Sequence, residues 1–232
     1  MKRRFFFLMM LILSANAAAN IVINGTRLIY HEENDSITVQ LNNNSQTSSL
    51  AQSWTDDGDI NATPENSSSP FYVYPPIVKI DGMQGQQLKI KKNNEKLPDD
   101  RESVFYLSVL DIPATPANAK GKSVLQVALR SRIKLFYRPD GLPQLPDAVP
   151  EQISASLSGE MLILKNPAPY YFTLSALVSG GDNPPSHIST VMLAPYSESR
   201  VAYTGQLSAG ESVTLISIND KGRNVRTEKK LH

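Results

Sequence analysis

From residue 20 onward, short alternating or β-branched runs recur between clusters of turn-forming residues, and the gaps between runs are too tight for crossover helices. That rhythm excludes an α/β chain and predicts antiparallel sandwiches. The runs fall at 21–30, 36–42, 49–55, 71–74, 87–91, 103–109 and 124–137, and again at 153–156, 161–165, 172–178, 190–193, 199–203 and 213–219. Each series has about the strand number of an immunoglobulin-like domain. Between them, Arg138-Pro139-Asp140-Gly141-Leu142-Pro143-Gln144-Leu145-Pro146 carries three prolines, which forbid a central strand and suit a semi-rigid connection. The expected organisation is an N-terminal sandwich over 20–141 and a C-terminal one over 142–232, all-β throughout.

The first 19 residues read differently. Lys2, Arg3 and Arg4 precede the unbroken apolar stretch Phe5 to Leu13, and small residues follow at Ala15, Ala17, Ala18 and Ala19. This is the pattern of a secretory signal peptide, with cleavage after Ala19 preferred over Ala17, and it predicts an exported chain. Its removal takes away three basic residues and no acidic one. The 213 that remain hold 20 Lys and Arg against 22 Asp and Glu, so no global basic bias toward nucleic acid survives. With no Cys, the exported chain has no disulfides and must be held by burial and backbone pairing. Matches to the glycosylation sequon at Asn24, Asn34, Asn43, Asn61 and Asn66 would matter in a eukaryotic secretory chain and are chance in a bacterial one, and chance is the favoured reading.

Catalytic motifs are missing. There is no Gly-Xaa-Ser-Xaa-Gly, no phosphate-binding glycine loop and no His-Glu-Xaa-Xaa-His, and His31, His187 and His232 have no supporting triad or metal-ligand spacing. The carboxylate pairs Asp56-Asp57 and Asp99-Asp100 lie in polar stretches, where solvated charges are the ordinary reading. No enzyme activity, cofactor or metal is expected. Tyr74-Pro75-Pro76 and Asn166-Pro167-Ala168-Pro169-Tyr170 interrupt strand patterns, and whether one holds a cis peptide is not decided by sequence.

The informative segment is 124–138. Leu125, Val127, Leu129, Ile133 and Leu135 share one parity, and Arg130, Arg132, Lys134 and Arg138 share the other. Read as one strand it would be about 50 Å long, well beyond the usual five or six residues. Two readings stay open: a half-buried strand with a wet basic face, or an edge kept free to receive another chain's strand. Arg27 poses a similar choice. It shares the parity of Ile21, Ile23 and Ile29, so strict alternation would put a guanidinium on an apolar face, where it needs either a carboxylate partner or a groove that takes an anionic ligand.

Several tracts together resemble the periplasmic pilus-assembly chaperones typified by PapD. They are Leu50-Ala51-Gln52-Ser53-Trp54, Tyr74-Pro75-Pro76, Leu97-Pro98-Asp99-Asp100-Arg101-Glu102-Ser103-Val104-Phe105-Tyr106, Asp111-Ile112-Pro113, Ile133-Lys134-Leu135-Phe136-Tyr137-Arg138-Pro139, Asn166-Pro167-Ala168-Pro169-Tyr170-Tyr171, Val191-Met192-Leu193-Ala194-Pro195 and Ile218-Asn219-Asp220-Lys221-Gly222. They run in order over nearly the whole mature chain. The resemblance implies two immunoglobulin-like domains joined at an angle, a location in the periplasm, pilus subunits as cargo and an outer-membrane usher as the delivery partner.

It also implies roles for particular positions. Arg27 and Lys134 would anchor the subunit's C-terminal carboxylate, and Leu125, Val127 and Leu129 would be lent to the subunit's groove. Glu102, Arg138 and Asp220 would form an interdomain ion network. Because the lent residues are odd-numbered and Lys134 is even, a bulge between Leu129 and Lys134 is expected. Where the family has a Pro-Gly turn, this chain has Asp81-Gly82-Met83-Gln84-Gly85, and the connection from Asp111 to Ser123 resembles the short-loop branch. Self-association through the exposed strand is left open. So are two other classes: an adhesin or pilus subunit, against which the immediate strand after Asn20 counts, and a sugar-binding module or periplasmic enzyme, which one Trp and no catalytic cluster disfavour.

Overall fold

The computed structural model describes residues 20–115, 125–143, 145–179 and 188–232, so the expected signal peptide, most of the connection after Pro113, and His187 lie outside the described residues. Two hydrophobic cores share no residue: one is built from positions between Ile21 and Tyr137, the other from positions between Val149 and Leu231. Each fills a sandwich of two sheets.

In the N-terminal sandwich, one sheet has the order β1-β3-β7-β5, formed by β1 (Ile21–Ile23), β3 (Ile37–Asn43), β7 (Gly85–Lys92) and β5 (Phe71–Tyr74). The facing sheet has the order β2-β9-β8-β4-β6, formed by β2 (Arg27–His31), β9 (Leu129–Arg138), β8 (Ser103–Pro113), β4 (Ser49–Asp56) and β6 (Ile77–Ile80). Inward side chains alternate as the pleat requires: Leu41, Leu88, Ile90, Leu107 and Leu135 are fully buried. Tyr30, Phe71 and Phe105 stack edge-to-face, with 5.1 Å between the ring centroids of each contacting pair.

The C-terminal sandwich repeats the plan with β10 (Ser154–Ser158), β11 (Met161–Asn166) and β14 (Ser197–Ala202) facing β13 (Val191–Leu193), β12 (Phe172–Ser179), β15 (Ser212–Ile218) and β16 (Asn224–Lys230). A 3-10 turn (Pro146–Ala148) and the one-turn helix α1 (Val149–Gln152) lead into it. The Tyr74-Pro75 bond is cis.

The strand patterns predicted from sequence recur with four differences. The run 21–30 is not one strand. It breaks at Asn24-Gly25-Thr26, where Gly25 has φ +119°, and the chain passes from β1 in one sheet to β2 in the other. The break also shifts the parity. Ile21 is buried before it, but Leu28 and Tyr30 face the core after it, so Arg27 projects from the outer face and not into an apolar one.

Second, β9 starts at Leu129 and not at residue 124. Continuing its register would set Val127 opposite Pro113, which has no N–H to offer the ladder. Third, the expected bulge between Leu129 and Lys134 is absent: the β8–β9 ladder runs unbroken from Asp111↔Leu129 to Ser103↔Tyr137. A register irregularity occurs instead in β12, between Leu174 and Ala176. Fourth, β6 and β16 went unpredicted. β6 sits directly behind two prolines, and β16 (Asn-Val-Arg-Thr-Glu-Lys-Lys) is a charged edge strand, a composition that discourages unwanted pairing but hides a strand from pattern reading.

Candidate functional site

The junction of the two sandwiches and the adjoining edge of β9 hold every side chain singled out by the resemblance. Strand β2 runs parallel to β9 and covers only its last five residues, from Arg27↔Lys134 to His31↔Arg138. On that side Leu129–Ile133 has no partner strand among the described residues, so the alternate residues whose N–H and C=O point away from β8 present open backbone groups. Ahead of them, Leu125 is 89% exposed, Val127 56% and Leu129 46%. Three alternating aliphatic residues this exposed form an apolar patch of the kind that marks interaction surfaces.

The absent bulge removes a supposed obstacle. On a regular strand, Leu129, Ile133, Leu135 and Tyr137 point to one side and Arg130, Arg132, Lys134, Phe136 and Arg138 to the other. Lys134 therefore faces the domain junction, while the exposed aliphatic residues continue the line of the core face beyond the end of the sandwich.

Where β2 begins, Arg27 and Lys134 are direct register partners. Arg27 Nη1 donates to the Ile218 carbonyl at 3.1 Å, and its Nε is buried without an acceptor. Among the described residues Lys134 Nζ reaches only Thr173 Oγ1, at 3.5 Å. Among the described residues neither cation has a carboxylate within 4.0 Å. Burial and then the neighbouring Arg27 charge hold the Lys134 ammonium below the ordinary lysine pKa. Burial also lowers Arg27, against the pull of Asp220 and Glu102.

The adjacent interdomain cleft, about 270 Å³, is lined by Arg27, Phe136, Tyr171, Phe172, Ile218 and Asp220 among others. The loop after β15 closes on its rim: a Cβ at Gly222, where φ is +73°, would lie 2.5 Å from Thr26 Oγ1. Only glycine meets both conditions.

Behind the cleft, Arg138 Nε donates to Glu102 Oε1 at 2.7 Å and Nη1 to Asp220 Oδ2 at 2.8 Å. Glu102 is 3% exposed and Arg138 8%. The second Glu102 oxygen accepts from the Tyr171 N–H at 2.8 Å, and the Glu102 N–H donates to the Pro169 carbonyl at 2.9 Å, so one residue of the first sandwich is fastened at two points to the second. Burial pushes the Glu102 carboxyl up, while Arg138 and the Tyr171 N–H work against that push. Burial opposes the Arg138 charge too, but Asp220 and Glu102 outweigh it and keep the guanidinium protonated. The Arg138 guanidinium lies 5.1 Å from the Tyr170 ring, and Phe136 packs against Tyr171 at 5.6 Å.

Sequence reasoning missed one part of this region. Asp56, taken for a solvated loop charge, ends β4 with no exposure at all and pairs with Arg132 and Arg130 of β9. The alternation of Arg130 and Arg132 was visible, but a partner 76 residues away was not. Asp100, by contrast, does pair in the open, with Arg101.

These observations define a tandem immunoglobulin-like protein with an open edge strand and a cationic junction. The first sandwich matches the family model described as "Pili and flagellar-assembly chaperone, PapD N-terminal domain" over residues 20–143, and the second matches "Pili assembly chaperone PapD, C-terminal domain" over 148–229. Chaperone protein MrkB of Klebsiella pneumoniae is 41% identical over 209 residues, 89% of either chain. The crystal structure of the YadV chaperone superposes with TM-score 0.78 at 36% identity, covering 92% of this chain and 100% of that one. The periplasmic chaperone SfaE superposes with TM-score 0.71 at 30% identity, covering 91% and 98%. The chain belongs to the PapD family of pilus-assembly chaperones, and chaperoning of fimbrial subunits is its function.

Proposed function

We propose that the chain works in the periplasm, after cleavage behind Ala19, as a strand donor that captures pilus subunits at the β9 edge and passes them to an outer-membrane usher. One observation carries this reading: Arg27 and Lys134 stand side by side without a counter-ion at the point where the open edge begins. Two partly buried cations cost free energy in the empty protein, and a carboxylate docking between them repays it through charge-assisted hydrogen bonds. A subunit's C-terminal carboxylate is the anion that also brings a chain to lay along the edge. From there the subunit backbone pairs with Leu129–Ile133, and Leu125, Val127 and Leu129 enter its groove, needing neither nucleotide nor cofactor. Glu102, Arg138 and Asp220 set the angle between the sandwiches and so the width of the cleft. Without cargo, the same edge is open to a second copy of the chain.

Co-expression with a fimbrial subunit tests the anchor. Arg27→Ala and Lys134→Ala each remove a bond of about 1.5–3 kcal/mol, so each variant folds and loses subunit binding by roughly 10- to 150-fold. Undiminished co-purification with both variants contradicts the anchor.

A further inference from the structure

The outer half of β9 has a structural problem that the family fold alone does not solve. Among the described residues Leu129–Ile133 pairs with a strand on one edge only, and Leu129 on its inner face is 46% exposed. A segment with one ladder and little burial is where a sheet frays. Its other face, however, is tied down. Arg132 forms a two-point pair with Asp56: Nη2 with Oδ1, and Nε with Oδ2 at 3.2 Å. Arg130 places Nη2 3.7 Å from Asp56 Oδ2, donates from Nε and Nη2 to Ser108 Oγ at 3.2 and 3.0 Å, and donates from Nη1 to the Ile60 carbonyl at 2.8 Å.

Both guanidinium groups also lie over aromatic rings, Arg132 at 3.6 Å from the Tyr106 centroid and Arg130 at 4.9 Å from that of Trp54. Asp56 and Trp54 belong to β4, so each arginine reaches across the whole width of β8. The buried Asp56 is in turn held by the Gly58 N–H at 3.0 Å.

We propose that Asp56 is a positioning residue for the donor edge: through Arg130 and Arg132 it clamps Leu129–Ile133 flat against β8 and keeps the open edge extended before a subunit arrives. The proposal deepens the strand-donor reading and rests on it. Pre-ordering the strand removes an entropy cost from capture. The clamp also offsets repulsion, since Arg130, Arg132, Lys134 and Arg27 otherwise crowd four positive charges along one strand and its neighbour.

The test is hydrogen exchange on the free protein, paired with co-purification of a co-expressed fimbrial subunit. In Asp56→Asn, the amides within Leu129–Ile133 that bond to β8 exchange about tenfold or more faster while the bonded amides of Leu135–Tyr137 keep their protection, and subunit capture falls about tenfold. Asp56→Glu restores much of both. Because Asp56→Asn leaves two partly buried guanidinium groups without their carboxylate, Arg132→Gln provides a milder second variant with the same local signature, and the double variant is no worse than the worse single one. Unchanged exchange over 129–133 in both variants, or faster exchange with undiminished capture, overturns the clamp. If capture also survives Val127→Asp in an otherwise wild-type chain, it is the strand-donor reading that has failed.

Discussion

The two halves of β9 differ more than any other neighbouring pieces of this molecule. From Lys134 to Arg138 the strand lies between β2 and β8, with Leu135 and Tyr137 in the core. From Leu129 to Ile133 it keeps β8 and loses β2, and the preceding Leu125 and Val127 are wholly outside the sandwich. Composition does not separate them, for the alternation of aliphatic and basic residues continues through both. What separates them is where β2 begins. The switch at Asn24-Gly25-Thr26 delays β2 until Arg27, and that delay turns half of a core strand into a surface. The same residue types therefore serve stability on one side of Lys134 and, in the proposed function, binding on the other.

Substitutions sharpen the contrast, the largest effects on stability coming from the buried half. Leu135→Ala removes a fully buried side chain and is expected to cost about 2–5 kcal/mol, read by urea unfolding, whereas Leu129→Ala costs little. Equal losses at the two positions would erase the distinction. Arg138→Ala leaves Glu102 buried and uncompensated, and a loss of about 3–5 kcal/mol is expected, with the sandwiches reorienting in small-angle scattering. A variant that keeps both its stability and its scattering profile would show that the network does not set the domain angle.

A smaller effect is expected from pH. The folded Lys134 pKa lies below the unfolded value, so its charge costs stability at neutral pH, and the cost is relieved as pH rises through the folded value toward 10.5. A bound carboxylate favours the charged form and raises that pKa. Subunit affinity is thus full below the depressed Lys134 value and weakens as pH rises above it. In Lys134→Met, affinity is lower overall and this alkaline decline disappears. An unaltered pH profile in that variant would assign the proton elsewhere.

Much of the architecture was legible in the sequence because alternation and turn residues are local. Thirteen predicted runs match strands or strand pairs, and the residues that the family resemblance implies for the ion network do meet, with Arg27 and Lys134 in register beside them. What escaped depends on partners distant along the chain. The face of Arg27 escapes strict alternation because a strand switch resets parity, and the one local mark of that switch between Ile21 and Tyr30 is the Asn24-Gly25 turn dipeptide. The bulge was inferred from the need to aim Leu129 and Lys134 alike, but the two can serve cargo from opposite faces of a regular strand. Asp56 was read as solvated because its arginines arrive 74 and 76 residues later, across an intervening strand.

Val127→Asp bears most directly on the central claim that the outer part of this segment is a binding surface and not a core element. Thermal unfolding and co-purification of a co-expressed fimbrial subunit are measured on the one variant. The account predicts a stability within about 0.5 kcal/mol of wild type, as for a surface substitution, together with loss of capture, because a carboxylate cannot enter an apolar groove unpaired. A collapsed melting temperature, or capture that persists in a folded variant, would contradict it.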